Sequence, residues 1–218
     1  RYRIPGGQRY RLPSHLTVEG DWSSAAFFLC AGAMSREGIT VDGLSLPTRQ
    51  GDSALLPLLR QMGAEVNLSS GCITVRKGRL RATDIDARPI PDLIPPLSVL
   101  AAAAEGGSHI QNARRLRYKE SDRLQGIAEL LNSLGGCLTV DGDGLLIHGV
   151  SHLRGGTVDP MGDHRLAMSA ALAALSADAP VTVRDADCVS KSYPAFWADF
   201  QSLKGEAPCP APSETPSV

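Results

Sequence analysis

The sequence lacks most of the patterns that would place it in a specialised class of protein. Its 22 basic and 23 acidic residues leave a net charge of −1, so it offers no broad field for nucleic acid or an anionic membrane. No apolar run reaches the length of a membrane span, and the first residues lack the apolar core of a signal peptide. These absences, together with 43% hydrophobic residues, predict a globular cytoplasmic protein.

Metal, disulfide and nucleotide signatures are missing as well. The five cysteines stand singly and are odd in number, which argues against a disulfide framework and predicts reduced, mostly buried thiols. The five histidines show no metal-ligand spacing, and no glycine-rich phosphate loop is present. We therefore expect neither a metal nor a nucleotide cofactor.

What the sequence does contain is an internal repeat. Three aspartates stand before alanine-rich helical runs and are evenly spaced along the chain: Asp21, Asp92 and Asp163. Three second helices are predicted at an equally regular spacing: from Asp52, Asp122 and Ser192. Each unit reads strand, capped helix, strand, capped helix and two short strands, with residues 15–19 as the first strand. Three copies favour a closed α/β domain of pseudo-threefold symmetry, with helices central and sheets outside.

The repeat also divides the chain. Residues 1–13, which contain Pro5-Gly6-Gly7, are expected to be a hinge, and the units follow at about 14–78, 79–150 and 151–205. Residues 206–218 are proline-rich without apolar periodicity and are predicted to be disordered. The third unit lacks its two closing strands, which either residues 1–12 or another polypeptide would supply. We interpret the chain as a fragment.

The densest chemistry lies in residues 117–123. Lys119, Glu120 and Arg123 stand at the start of a helical run, where the helix N-terminus itself favours anions. Glu120 lies between two cations and should therefore keep a low pKa. A solvated, charged first turn is the alternative interpretation of such a cluster.

The third unit adds His164, Arg165 and Lys191 near its helix starts. If the units close around an axis, equivalent helix starts converge, and these cations would join those of the second unit around one spot, with Asp92 and Glu120 nearby. Such a set suits a polyanionic substrate and proton transfer. Capping alone explains an aspartate at position 92, and solvated surface charge is the alternative for Arg165 and Lys191.

Several motifs together carry a resemblance to a known family. They are Val18-Glu-Gly-Asp-Trp-Ser-Ser-Ala-Ala26, Gln50-Gly-Asp52, Lys119-Glu-Ser-Asp-Arg123, Gly162-Asp-His-Arg-Leu-Ala-Met168 and Lys191-Ser-Tyr-Pro194. In this order they make the chain similar to the 5-enolpyruvylshikimate-3-phosphate (EPSP) synthase family. The resemblance covers only the C-terminal half of the usual protein, so it implies one pseudo-threefold domain whose N-terminal partner domain is absent.

The resemblance implies an enzyme of the shikimate pathway, which leads to chorismate and the aromatic amino acids. It implies transfer of the enolpyruvyl group from phosphoenolpyruvate to the 5-hydroxyl of shikimate 3-phosphate, with release of phosphate. No metal or cofactor is implied, and glyphosate is the implied inhibitor. Because the N-terminal half would supply further substrate contacts, we expect the chain to fold alone but to be inactive.

The resemblance also implies roles for single residues. Asp92 would take the proton of the shikimate hydroxyl, Glu120 would protonate the methylene carbon of phosphoenolpyruvate, and Lys119 would contact shikimate 3-phosphate. Phosphoenolpyruvate would be held by Arg123, Arg165 and Lys191, with His164 in support. Arg115 stands where some family members carry an asparagine that touches shikimate 3-phosphate, so it is left without a role.

Two other functions stay open at this point. The related UDP-N-acetylglucosamine enolpyruvyl transferase shares the fold, but it usually carries a reactive cysteine in a loop. A non-catalytic module that kept only anion recognition is the second alternative. Tight binding of phosphoenolpyruvate without turnover, even beside an N-terminal half, would favour the module.

Overall fold

The computed structural model describes residues 1–69 and 71–203, and three repeated units are arranged there around a common centre. The α-helices are α1 (Trp22–Met34), α2 (Leu55–Gln61), α3 (Ile94–Ala102), α4 (Arg123–Ser133), α5 (His164–Ala173) and α6 (Phe196–Ser202). The strands are β1 (Ile39–Val41), β2 (Glu65–Ser69), β3 (Cys72–Arg76), β4 (Ile85–Asp86), β5 (Gly107–Gln111), β6 (Cys137–Asp141), β7 (Gly144–His148), β8 (Gly156–Val158) and β9 (Val181–Val183). Within these described ranges, every helix is too short or too polar to cross a bilayer.

The alanine-rich helices α1, α3 and α5 form the centre of the fold. They contact one another in all three pairs, and most of their residues are buried. Small side chains allow the helices to approach closely, while larger ones such as Leu29, Leu97 and Leu172 belong to one continuous hydrophobic core. The prediction of three central alanine-rich helices is confirmed.

Three sheets lie outside these helices. The first has the antiparallel order β1-β3-β2, and the second has the order β4-β5-β7-β6 with β4 parallel to β5. The third consists of the parallel pair β8 and β9. Helix α1 packs on the first sheet, α3 on the second and α5 on the third, so the α/β architecture with outer sheets is also confirmed.

The repeat is incomplete at both ends of the described chain. Residues 15–19 form no strand, and residues 1–18 are exposed. This strand prediction is wrong for this structure, since alternation is a weak signal where no tight turn fixes the pairing. In the part of the chain that the structure describes, the third sheet has no closing strands, and residues 1–12 do not supply them. The predicted tail, residues 206–218, lies outside the described residues.

The positions of prolines explain which of the predicted helix N-caps the structure contains. The side chains of Asp21, Asp163 and Asp122 cap α1, α5 and α4. Asp92 does not cap α3, which begins later, after a 3-10 turn at Pro91–Leu93. If Asp92 were the cap, Pro96 would occupy the first position that must donate an N–H within the helix, and proline has none.

The second helices of the first and third units also begin later than predicted. Helix α2 begins at Leu55 rather than near Asp52, which places Pro57 in the first turn, where its missing N–H costs no hydrogen bond. Helix α6 begins after Pro194, because the residue before a proline is disfavoured in helical conformation.

The thiols are less buried than predicted. Among the cysteines in the described ranges, Cys30 in α1 is buried, whereas Cys137 is exposed. Cys137 opens β6, which is the outer strand of the second sheet and has one free side.

Candidate functional site

The helix starts of the second and third units meet in one charged cluster. Helices α3, α4 and α5 pack against one another, so the segments that precede them come together. Asp92 lies in the 3-10 turn before α3, and Glu120 lies in the loop before α4. Arg123 is the first residue of α4, Arg165 is the second of α5, and Lys191 ends a 3-10 turn before α6.

Arg123 is the centre of this cluster, and only 1% of its side chain is exposed. Its Nε donates to Oδ2 of Asp163 at 2.8 Å, its Nη1 donates to Oδ1 of Asp92 at 2.9 Å, and its Nη2 donates to Oε2 of Glu120 at 2.5 Å. A buried guanidinium is tolerated only when its planar fork is satisfied in this way. One arginine thus fixes three carboxylates from three different segments.

Asp92 is shared by three cations. Its Oδ1 lies 3.0 Å from Nζ of Lys119 and 3.6 Å from Nε of Arg165, besides its bond to Arg123. Burial raises the pKa of Asp92 and is the largest single effect, but Arg165, Lys119 and Arg123 together outweigh it and hold the pKa below its ordinary value. Asp92 is therefore ionised at neutral pH, and its Oδ1 is engaged by all three cations.

Glu120 is held between Arg123 and Lys191. Its Oε1 lies 3.3 Å from Nζ of Lys191, and 24% of its side chain is exposed. Burial raises the pKa of Glu120, but a backbone hydrogen bond, Arg123 and Lys191 prevail and lower it below the ordinary value. The predicted low pKa of this carboxyl is confirmed, but Lys191 takes the place expected for Lys119, which pairs with Asp92 instead.

His164 is a buried, neutral neighbour of the cluster. Only 5% of its side chain is exposed, and its Nδ1 lies 4.0 Å from Oδ1 of Asp163. Within the described residues, this Nδ1 has no hydrogen-bond partner. Burial lowers the pKa of His164, and the nearby Arg165 lowers it further, so the imidazole is uncharged at neutral pH.

Asp163 and Ser121 belong to the cluster although no site role was predicted for them. Asp163 was predicted only as a cap, but it is fully buried and binds the Arg123 guanidinium through both carboxylate oxygens, at 2.8 and 3.2 Å. It also accepts from Oγ of Ser121 at 3.0 Å and from the backbone N–H of Arg165 at 2.9 Å. Of the three repeated aspartates, only Asp163 is followed directly by basic side chains, and this pattern could have indicated its site role. No feature of the sequence indicated a role for Ser121.

The cluster as a whole carries a small positive charge. It contains four cations, Lys119, Arg123, Arg165 and Lys191, and three carboxylates, Asp92, Glu120 and Asp163, which leaves +1. The structure thus brings together every residue named above for substrate binding or proton transfer. Arg115 is different: it lines a separate pocket of about 560 Å³ together with Arg88, His109 and Arg114.

Comparison with known proteins gives one consistent answer. Residues 1–200 match the family model described as EPSP synthase (3-phosphoshikimate 1-carboxyvinyltransferase). The 3-phosphoshikimate 1-carboxyvinyltransferase of Clostridium kluyveri is 42% identical over 203 residues, which are 93% of this chain and 47% of the relative. The protein of the same name from Methanocella arvoryzae is 46% identical over 204 residues, 93% of this chain and 48% of the relative.

The solved structures agree with the sequences. EPSP synthase from Acinetobacter baumannii superposes with a TM-score of 0.75 at 30% identity, covering 86% of this chain and 46% of that protein. The chain thus spans about half the length of the curated relatives and solved structures that it matches.

Proposed function

This chain belongs to the EPSP synthase family, and from that membership we propose that it carries half of an enolpyruvyl transfer site. The reaction moves the enolpyruvyl group of phosphoenolpyruvate to the 5-hydroxyl of shikimate 3-phosphate and releases phosphate. The observation that carries this proposal is the convergence of three further cations and two partly exposed carboxylates, Asp92 and Glu120, around Arg123.

Addition followed by elimination needs a base and an acid. In the addition step, the 5-hydroxyl oxygen bonds to the central carbon of phosphoenolpyruvate while the methylene carbon takes a proton. Asp92 is the proposed base for the hydroxyl proton, since it is already ionised, and Glu120 is the proposed donor to the methylene carbon. Loss of phosphate and of one proton from the new methyl group then restores the double bond.

The carboxyl of Glu120 must change its charge state before it can act as an acid. Glu120 has a lowered pKa because Arg123 and Lys191 stabilise its charge, so it is ionised and cannot donate a proton. Phosphate and carboxylate groups of the substrates would compete for the same cations. Once Lys191 turns to a substrate anion, Glu120 loses part of its stabilisation and its pKa rises toward the range of a general acid.

The four cations differ in how freely they can reach a substrate. Lys191 has 58% of its side chain exposed, and the contacts of Arg165 with Asp92 are long, at 3.5 and 3.6 Å. These two side chains are therefore the proposed first contacts of phosphoenolpyruvate, and Lys119 that of shikimate 3-phosphate. Arg123 is almost fully buried, so any contact it makes with phosphoenolpyruvate must leave its ion pairs with the carboxylates intact. His164, buried beside Asp163, is the proposed support of this set of cations.

We further propose that turnover requires the half of the family protein that this chain does not match. The cluster is an assembly of ion pairs on one surface, and a closed, water-excluding site needs a second wall. Among residues 1–69 and 71–203, the third sheet has two strands where the second has four, which leaves β9 an edge that the other half could complete. Glyphosate is the proposed inhibitor of the assembled enzyme.

The binding part of this proposal is tested by NMR titration of the isotope-labelled chain with phosphoenolpyruvate and then shikimate 3-phosphate. Shifts should concentrate around Lys119, Arg165 and Lys191, and Arg165→Gln should raise the phosphoenolpyruvate concentration needed to produce them roughly 10- to 100-fold. Arg184→Gln is the matched control, because Arg184 is an exposed arginine of the same repeat outside the cluster. Equal binding by both variants would contradict the site.

The catalytic part is tested by adding, from a close relative, the half that this chain does not match and measuring phosphate release from both substrates. The mixture should turn over, and Glu120→Gln should abolish turnover while binding persists. Binding without turnover in the wild-type mixture would instead favour a non-catalytic anion-binding module. Turnover by the chain alone would contradict the requirement for a second half.

A further inference from the structure

Arg117 links two parts of the second repeat that are distant along the chain. It belongs to the 3-10 turn Arg114–Tyr118, and its Nη1 donates to Oδ2 of Asp122 at 3.0 Å. Its Nη2 donates to the carbonyl of Gly142 at 2.6 Å, and its Nε lies 3.5 Å from Oδ1 of Asp143. The planar fork of one guanidinium thus contacts both the start of α4 and the turn between β6 and β7.

The turn between β6 and β7 is a firm support for this side chain. The two strands pair with each other along all of their residues. The carbonyl of Asp143, within the turn, also accepts the backbone N–H of Ala113 at 2.7 Å, so the turn is fixed to the chain just before the 3-10 turn. The carbonyl of Gly142 is therefore an acceptor with a fixed position and a charge that does not depend on pH.

The segment that Arg117 spans carries two of the proposed reactive groups. Residues 119–122 form neither helix nor strand, and they include Lys119 and Glu120. The contact between Arg117 and Asp122, the N-cap of α4, joins the two ends of this segment. A segment without regular backbone hydrogen bonds takes its position from contacts such as these. Arg117 therefore helps to determine where Lys119 and Glu120 lie.

Arg117 differs from the cations of the cluster in its partners. In the described part of the chain its ion pairs are with Asp122 and Asp143, and neither carboxylate belongs to the cluster. These two carboxylates more than offset its charge, so a substrate anion gains little by approaching it. At the spacing of the second helices, Arg117 corresponds to Pro47 in the first unit and Asp187 in the third. The guanidinium is thus specific to the unit that carries the proposed proton donor.

We propose that Arg117 is a positioning residue, which holds the segment of residues 119–122 between the β6–β7 turn and α4. Lys119 and Glu120 then face the cluster; this role rests on the function proposed above. Substrate anions would draw Lys119 and Lys191 away from their present carboxylates, whereas the partners of Arg117 lie outside that exchange. The backbone of the segment stays in place while its side chains change partners, and such preorganisation favours proton transfer.

NMR titration of the Glu120 side chain in the isolated chain tests this positioning without turnover. Burial raises the pKa of Glu120, but its neighbours hold it below the ordinary value of 4.5. In Arg117→Gln the segment leaves these neighbours, so the pKa should rise toward that value. Arg114→Gln is the matched control, because Arg114 is an exposed arginine of the same 3-10 turn, and it should leave the pKa as in the wild type. Amide exchange between β2 and β3 should be unchanged in both variants, which shows that the fold is intact.

Turnover with the added half gives the second measurement. Arg117→Gln should lower kcat for phosphate release by up to about 100-fold, because small misplacements of reacting groups have effects of that size. The KM for phosphoenolpyruvate should change far less, since Arg165 and Lys191 are untouched. Arg117→Lys keeps the charge, but a single ammonium cannot reproduce the fork, so it should recover only a small part of the loss. Arg114→Gln should turn over like the wild type.

Two results would overturn the proposal. The first is a pKa of Glu120 in Arg117→Gln that equals the wild-type value. The second is full recovery of turnover in Arg117→Lys, which would assign the effect to charge alone. Absence of turnover in the wild-type mixture would instead contradict the enzymatic function, and the titration of Glu120 would still decide the role of Arg117.

Discussion

The first repeat and the junction of the second and third repeats place different side chains at equivalent backbone positions. The junction has cationic side chains where the first repeat has neutral hydroxyls. Where the second repeat has Arg123, the first has Ser53, and where the third has Arg165, the first has Ser23. At the junction, carboxylates face guanidinium and ammonium groups. In the first repeat, the carboxylate of Asp52 instead accepts a hydrogen bond from the hydroxyl of Ser23.

The difference shows that the repeat determines where the carboxylates lie, whereas the neighbouring side chains determine the direction in which the pKa of each carboxylate shifts. Burial raises the pKa of Asp52; the Ser23 bond opposes that shift and the charge of Asp92 adds to it, so the pKa lies above its ordinary value. Burial also opposes ionisation of Asp92, but cations reverse the outcome there. Substitutions at matched positions of the two regions test this comparison.

The largest expected effect comes from Arg123→Ala. It leaves the fully buried Asp163 without its guanidinium partner, and removing one member of a buried ion pair costs about 3–5 kcal/mol of folding stability. The matched substitution Ser53→Ala removes one hydroxyl bond to the carbonyl of Gln50 and should cost about 1 kcal/mol. Urea unfolding measures both, and equal costs would contradict the special position of the junction.

The second largest expected effect is a difference between the two regions in phosphoenolpyruvate affinity. Arg165→Gln removes a proposed charge-assisted contact worth about 1.5–3 kcal/mol, so phosphoenolpyruvate affinity should fall roughly 10- to 100-fold. Ser23→Ala, at the equivalent position of the first repeat, should leave that affinity unchanged. Calorimetric titration of both variants checks this, and a comparable loss in Ser23→Ala would mean that the first repeat also binds the substrate.

The dependence of stability on pH should have opposite signs in the two regions. The lowered pKa of Asp92 means that its contribution is present above the ordinary value of 3.8 and is lost as the pH falls through the lowered pKa. The raised pKa of Asp52 means that its contribution is present below 3.8 and is lost as the pH rises through the raised pKa.

Urea unfolding between pH 3 and pH 7 measures these signs through the variants Asp92→Asn and Asp52→Asn. The cost of Asp92→Asn should shrink as the pH falls. The cost of Asp52→Asn should shrink, or become a gain, as the pH rises. Parallel trends in the two variants would contradict the assigned charge states.

Local signals in the sequence predicted much of the fold. The even spacing of the three repeated aspartates located the units, and Asp21 caps the helix that its position before an alanine-rich run predicted. Caps and periodicity depend on neighbours along the chain, so they are readable without coordinates. The late starts of α2 and α3 were also readable, because Pro57 and Pro96 exclude the earlier caps.

The site could be predicted only in part. Placing basic residues at repeat-equivalent helix starts indicated which side chains would share a surface, and the structure shows them in contact. The basic side chains that follow Asp163 indicated a site role for it, but its bond to Arg123 could not be predicted, since that bond joins residues 40 positions apart and follows from helix packing. The open edge of β1 likewise depends on which strands pair, a property that no local pattern fixes.

The smallest expected effect on stability belongs to Lys191→Gln. Lys191 is 58% exposed, and an exposed ion pair such as its contact with Glu120 contributes at most about 1 kcal/mol. Lys77→Gln is the matched control in the first repeat, since Lys77 is exposed and stands outside the cluster. Urea unfolding should hardly distinguish the two, whereas only Lys191→Gln should weaken phosphoenolpyruvate binding. A side chain that contributes little to folding but much to binding is free to move toward a substrate. This pair of variants therefore separates a substrate-contacting cation from a structural one such as Arg123. Equal phosphoenolpyruvate binding by both variants would assign Lys191 to the solvated surface.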